Sequence, residues 1–357
     1  MQTFRSWFKK SLLKLVAFGL LYSSVLRLMN PFINIFQLQK NPEGAPAFPF
    51  IQKRRSRNFQ ILSYHRVNND RDPFFRAVSV DVFEKQMEYL VSHFHVCSLE
   101  EAVERMKSKD IPDNTIVITL DDGYKDNYLN AFPIFKKLSM PATIFLATDS
   151  IGSGRILWHD RVFSAFRQTK EHFLAWYESN SKGYPLRTLQ EKLFAQKEVL
   201  KFLRSLDDDK RLFWIDHLVE KLKVEDRKEV PDLMLTWDEV KLMHNYGISF
   251  GSHTVTHPIL SRLSVDKAQE EIEKSKKSIE EKLGAPVKTF AYPNGSKEDF
   301  NRVTKNLLKE AGYICAVTTV FGTNESDQDL FELRREWIWG DYLPGFAMRL
   351  NWYKFCC

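Results

Sequence analysis

Six residues, Thr115-Ile116-Val117-Ile118-Thr119-Leu120, run directly into Asp121-Asp122-Gly123-Tyr124. The run is β-branched and apolar, which reads as a buried strand. The two acids then stand at a strand's carboxyl end, the edge where α/β and barrel folds place their sites. Adjacent carboxylates repel, so one stays protonated unless a cation sits between them. A metal ion resolves this: one Asp binds it, and the other is left free as a base. The plain alternative is an Asp-Gly turn closing a strand. The spacing of Asp121, Gly123 and Asp126 does not fit a calcium-binding EF-hand loop.

A second stretch, Phe250-Gly251-Ser252-His253-Thr254-Val255-Thr256-His257-Pro258, supplies two histidines four apart after a strand-like run. Two such imidazoles can converge on one cation. The zincin helix has Glu after its first His, whereas Thr254 stands here, and Pro258 opposes a helix running past His257. The pair is therefore placed on a loop.

The rest of the chain must position these groups. Its 357 residues suit one large domain, or one domain with an insertion. A hydrophobic share of 43%, with 28 Phe and 8 Trp, builds a substantial core and excludes a disordered chain. The formal net charge of +6 is scattered. It suits an anionic membrane surface, an acidic glycan or a plain solvated exterior, and no nucleic-acid partner is expected. Cys97 and Cys315 lie in apolar contexts and read as core thiols, and no Cys-x-x-Cys occurs. The expected location is cytoplasmic or peripheral to a membrane, with export left open.

Residues 1–58 read as an N-terminal apolar helix and a linker. Arg5, Lys9, Lys10 and Lys14 precede the uncharged run Leu15 to Leu26, which is shorter than the ~20 residues of a membrane span. It fits a helix lying on a membrane surface, or one packed on the domain that follows. Strands are expected at Phe59–Arg66, Thr115–Leu120, Pro141–Ala147, Ile248–Gly251, Thr289–Tyr292, Ile314–Thr319 and Leu333–Trp339. Helices are expected between them, among them Val80–Val91, one opened by a capping box at Ser98–Glu101, and Asp126–Leu138. Residues 152–235 are charged and helical, and read as an insertion over one rim of the site. Strand–helix alternation of this kind predicts a mostly parallel α/β sheet, or a barrel with helices outside.

Thr-Leu-Asp-Asp-Gly-Tyr at 119–124 and Ser-His-Thr-Val-Thr-His-Pro at 252–258 resemble the first two motifs of the polysaccharide deacetylases, the NodB-homology group or carbohydrate esterase family 4. Phe290-Ala291-Tyr292-Pro293-Asn294-Gly295 resembles the third, and the resemblance spans roughly Phe59 to Ile338. It implies an irregular, partly open (β/α) barrel over residues 59–357, interrupted by the helical insertion. It also implies removal of N-acetyl groups from an acetylated amino sugar in a polysaccharide or glycan intermediate. By the same resemblance, Asp122, His253 and His257 hold one divalent metal, zinc first, with cobalt or nickel able to replace it. Asp121 stays unligated as the base, a main-chain N–H at Asn294 faces the oxyanion, and Tyr124, Tyr292 and Pro293 line the substrate groove. Trp158, in Trp158-His159-Asp160, offers a sugar-stacking surface, with a buried Trp as the alternative.

There are two departures from the family pattern. Ala291 stands where the third motif commonly has an Arg that orients the base. Leu333-Arg334-Arg335 occupies the place of a late Leu-x-His motif that supplies the general acid. His65, in a Tyr-His pair at the end of the first strand, is the expected replacement acid. A metal-dependent esterase or amidase acting on another acylated substrate, and a non-catalytic glycan-binding protein, are the alternative readings.

Overall fold

The structure, a computed structural model, describes residues 58–176, 183–338 and 342–356. The apolar helix expected near the N-terminus lies outside the described residues. Among them, no helix is long and apolar enough to cross a membrane.

In chain order the strands are β1 (Asn58–Tyr64), β2 (His95–Val96), β3 (Thr115–Leu120), β4 (Thr143–Leu146), β5 (Phe173–Leu174), β6 (Tyr184–Pro185), β7 (Ser249–Ser252), β8 (Thr289–Ala291), β9 (Cys315–Val317), β10 (Asn324–Glu325) and β11 (Glu336–Trp337). The α-helices are α1 (Val80–His93), α2 (Leu99–Lys107), α3 (Phe132–Leu138), α4 (Trp158–Gln168), α5 (Leu189–Arg204), α6 (Asp208–Lys221), α7 (Trp237–Asn245), α8 (Val265–Leu283), α9 (Arg302–Glu310) and α10 (Leu343–Cys356). The chain divides between a unit spanning Asn58–Trp339 and the residues on either side of it. Outside that unit the described element is α10, in which Phe346, Ala347 and Leu350 are buried.

Six strands lie side by side and parallel in the order β1-β3-β4-β7-β8-β9. Every residue of β3 is buried, as a strand covered on both faces requires. The array's two ends meet across one segment. Leu333 N–H donates to Ala316 O (3.0 Å) and Leu333 O accepts from Thr318 N–H (2.8 Å) on the β9 side. A few residues on, β11 pairs parallel with β1, Leu62 opposite Glu336 and Ser63 opposite Trp337. The result is the irregular (β/α) barrel that the alternation predicts. Phe59, Ile61, Val117, Phe145, Ala291 and Cys315 fill it together with the buried side of α2, and Cys97 and Cys315 are both buried free thiols.

Two local expectations change. The helix expected over 126–138 begins as a π-helical turn, Asn127–Ala131, before α3. Pro133 explains this, since it has no N–H to donate into an α-helical turn. At Ser98 only half of the capping box forms: its Oγ accepts from Glu101 N–H (3.1 Å), while the Glu101 carboxylate turns to Arg105 (2.8 Å).

Between β4 and α7, helices α4–α6 and the antiparallel pair β5–β6 build a core of their own, centred on Val162, Phe166, Trp176, Leu203, Ile215 and Leu218. A full capping box at Thr188 and Glu191 starts α5.

Gly251 precedes the histidine loop and is tightly enclosed. A Cβ there would lie 2.5 Å from the Phe145 ring and 2.6 Å from Thr289 Oγ1. Gly251→Ala should therefore destabilise the barrel by about 1–3 kcal/mol, seen as a lowered urea midpoint with an unchanged slope.

Candidate active site

Asp121 and Asp122 follow β3 at the barrel's carboxyl end and point to different partners. Both are almost fully buried. Arg335, also fully buried, meets Asp121 with a two-pronged grip: Nη1 donates to Oδ1 and Nη2 to Oδ2, each at 2.7 Å. Its Nε donates to Thr318 O (2.8 Å) and Nη1 also to Thr119 Oγ1 (3.1 Å). Planar guanidinium fits carboxylate in this way, and the fit fixes direction as well as charge. Burial pushes the Asp121 carboxyl up, but Arg335, helped by His253 and His65, outweighs it and holds the group below the usual carboxylate range.

Asp122 has φ +76°, so its carboxylate turns away from Arg335 toward imidazoles. Its Oδ1 lies 3.4 Å from both His253 Nε2 and His257 Nε2. Its Oδ2 lies 3.9 Å from His159 Nε2 and 4.0 Å from His65 Nε2. Burial again pushes the carboxyl up, and the four imidazoles, His253 foremost, hold it low. Neither oxygen of Asp122 has a hydrogen-bond partner among the described residues. A buried carboxylate left this way needs a cation.

The histidines are oriented for one. His253 Nδ1 lies 2.7 Å from the Ala291 carbonyl, which can only accept, so the proton sits on Nδ1 and Nε2 is free to ligate. Burial lowers the His257 pKa well below its ordinary value, favouring the neutral ring that a ligand must be. Glu271 on α8 holds the intervening loop, accepting from Val255 N–H (2.7 Å), Thr256 N–H (3.0 Å) and Thr256 Oγ1 (2.8 Å). One donor atom each from Asp122, His253 and His257 lies within 4.8 Å of the others. Two imidazoles and a carboxylate in this arrangement fit a divalent metal. The pair sits on a loop, as the Thr254 and Pro258 positions suggest.

A cavity of about 570 Å³ opens over these groups, and His65, His159, Tyr292 and Asn294 are among the residues lining it. His65 points in, its Nε2 4.0 Å from Asp121 as well as from Asp122. Asn294 (φ +57°) is held by Thr319, whose Oγ1 donates to its carbonyl at 2.7 Å. Tyr292 forms wall rather than handle. Its ring stacks on Phe300 with centroids 4.4 Å apart, and its hydroxyl donates to Phe331 O (3.1 Å). Pro293 is not among the lining residues.

Two expected substrate contacts lie behind the wall instead. Gly123, with φ +86°, turns Tyr124 inward, where it is wholly buried against Ala147, Leu157 and Met234. Its hydroxyl donates to the Asp160 carboxylate (3.1 Å) and so accepts from His159 Nε2 (3.1 Å). Trp158 is 5% exposed within the core built between β4 and α7, and its Nε1 donates to His257 O (3.1 Å). It holds the loop that carries His253 and His257 and has no free face for sugar. In the Trp-His-Asp run the middle residue is the one that reaches the cavity.

Arg335 and His159 are the site residues that the sequence reading missed. For Arg335 the one hint was indirect: the chain lacks Arg at 291 and carries Arg334-Arg335 just before β11.

Comparison with known proteins agrees with this geometry. The family model described as polysaccharide deacetylase matches residues 108–174 and 194–316. The chain belongs to the polysaccharide deacetylase family. It is 24% identical over 301 residues to a putative polysaccharide deacetylase, YxkH, of Bacillus subtilis, covering 84% of this chain and 77% of that one. It is 26% identical over 209 residues to the poly-β-1,6-N-acetyl-D-glucosamine N-deacetylase of Staphylococcus epidermidis, covering 53% and 70%. The fold is shared with Streptococcus pyogenes deacetylase PplD (TM-score 0.56, 20% identity, 82% of this chain and 97% of that one). It is shared equally with IcaB from Ammonifex degensii (TM-score 0.55, 19% identity, 82% and 97%).

Arg335→Met leaves Asp121 buried without its cation, which should cost about 3–5 kcal/mol of stability. Misorientation of the carboxylate should lower kcat/KM by about 100-fold. Asp121 is held low by this partner, so its loss should move the acid limb of the pH–rate profile to higher pH. An acid limb that stays in place in the folded variant would show that Arg335 does not set the Asp121 charge.

Proposed function

We propose that this protein is a metal-dependent N-deacetylase acting on an acetylated amino sugar within a polysaccharide or glycan intermediate. One observation carries the reading: two adjacent buried carboxylates, one clamped by Arg335 and the other unpaired between histidines. Family membership and the relatives named for deacetylating an N-acetylglucosamine polymer support the substrate class.

Asp122, His253 and His257 would hold the metal, and this donor set suits zinc, with cobalt or nickel able to replace it. Bound there, it would supply Lewis-acid polarisation of an acetyl carbonyl and a lowered water pKa. Asp121 would act as the base that takes the proton from the attacking water. Its two oxygens are fixed by Arg335, so the carboxylate spends no freedom in reaching the reactive geometry. The Asn294 main-chain N–H lies on a loop fixed to β9 and is assigned to the developing oxyanion. His65 faces both carboxylates from across the cavity and gives a proton to the departing amine. Tyr124 acts from behind, positioning His159, and the metal-site loop is steadied by Trp158 and Glu271.

Elemental analysis should find about one zinc per chain in the wild type, lost in His257→Ala. Asp121→Asn should keep the metal and lose acetate release from an N-acetylglucosamine oligomer. A wild type that retains no zinc, cobalt or nickel after reloading would sink the mechanism and leave a glycan-binding protein. His65→Ala should keep the metal and lower kcat for acetate release. An unchanged kcat assigns the acid elsewhere.

A further inference from the structure

The cavity's two carboxylates lie at its buried end, but its exposed wall is cationic. Arg76, in the loop after β1, and Lys197 and Arg204, on α5, all line it, and all three are exposed. Other cations in the same unit are matched: Arg66 with Asp126 at 2.5 Å, Lys125 with Glu239 at 2.7 Å, Arg161 with Asp216 and Asp226. Among the described residues, none of the three cavity cations has a carboxylate oxygen within 4.0 Å. Asp121 and Asp122 are the acidic residues of the lining. The first is neutralised by Arg335, and the second faces the imidazoles.

These cations stand on a shared frame. Gln196, Leu200 and Arg204 repeat every four residues and so form one stripe of α5 facing the cavity, with Lys197 beside it. Gln196 Nε2 donates to Phe74 O (2.9 Å), and Arg167 pairs with Asp72. These contacts tie the loop bearing Arg76 to the insertion bearing the other two. These contacts hold the two elements that carry the three positive groups, and among the described residues no carboxylate comes within ion-pair distance of them, Asp299 acting on Arg204 only from farther off. An entering anion would relieve their mutual repulsion.

We propose that the cavity selects an acetylated glycan carrying an anionic group, carboxylate or phosphate, on or next to the acetylamino sugar, and that Arg76, Lys197 and Arg204 bind that group. Arginine suits both anions because its fork meets their oxygens in pairs. Phe74, Phe75 and Trp337 supply the apolar wall that a sugar ring needs. The proposal rests on the deacetylase reading for its chemistry, though not for its binding.

The test uses the zinc-loaded full chain and three probes: a neutral N-acetylglucosamine tetramer, a hyaluronan tetrasaccharide whose acetylamino sugars alternate with uronic acids, and N-acetylglucosamine 1-phosphate. Acetate release gives kcat/KM at low and high salt. Calorimetry gives binding of the same probes to Asp121→Asn. The wild type should favour a charged probe over the neutral tetramer by about tenfold, less at high salt. Which charged probe leads distinguishes carboxylate from phosphate. In Arg76→Gln/Lys197→Gln/Arg204→Gln that ratio should fall toward one, through KM. A neutral probe used or bound as well as the charged ones overturns the proposal, as does a preference that survives in the triple variant. If no probe releases acetate, the deacetylase reading fails, and the calorimetric preference alone then decides the charge proposal.

Discussion

Asp121 and Asp122 are adjacent in the chain and almost wholly out of water, and neither could stay ionised there unaided. The structure gives them different counterparts. Asp121 receives a guanidinium that arrives from the far end of the unit and fills both of its oxygens. Asp122, turned aside by a left-handed backbone, receives imidazoles and no hydrogen bond. That asymmetry lets two identical side chains take on two tasks. Without it the pair would share one proton, and neither the proposed base nor the proposed ligand would result.

Keeping this arrangement requires unusual backbone at several places. Asp122, Thr254, His257 and Asn294 all have positive φ, between 57° and 76°. They fall in the three loops after β3, β7 and β8. Such residues cost about 1–3 kcal/mol each and persist only where their surroundings over-determine them. Here Glu271, Thr319, the Ala291 carbonyl and Trp158 provide those constraints, each by a hydrogen bond from outside the loop it steadies. The segment between β4 and α7 is part of this scaffold, since its Trp158 donates to His257 O and its His159 and Asp160 bond the Tyr124 hydroxyl.

Much of this was legible in the sequence. β3 read cleanly because a strand buried on both faces is a β-branched apolar run ending in a polar loop, and the Asp-Asp and His-x-x-x-His spacings survive as local text. Pro258 correctly put the histidines on a loop. Arg335 was not legible as Asp121's partner, because the pair is separated by 214 residues and only the barrel's closure brings it together. Tyr124 and Trp158 were misread for a related reason. Composition shows that an aromatic is near a site but not which face of the chain it leaves from. At Tyr124 that was decided by the φ of Gly123, and at Trp158 by the separate core built between β4 and α7.

The segment that joins β9 to β1 has a further effect on timing. A chain leaving the ribosome exposes β1, β3 and the loop bearing both His253 and His257 before residue 335 appears. Until Leu333–Trp337 slots between the two sheet ends, Asp121 lacks its guanidinium, and burying it would be unfavourable. The barrel's closing stitch and the arming of the proposed base are thus one event, and a partly made chain carries the proposed metal ligands without a competent proton acceptor.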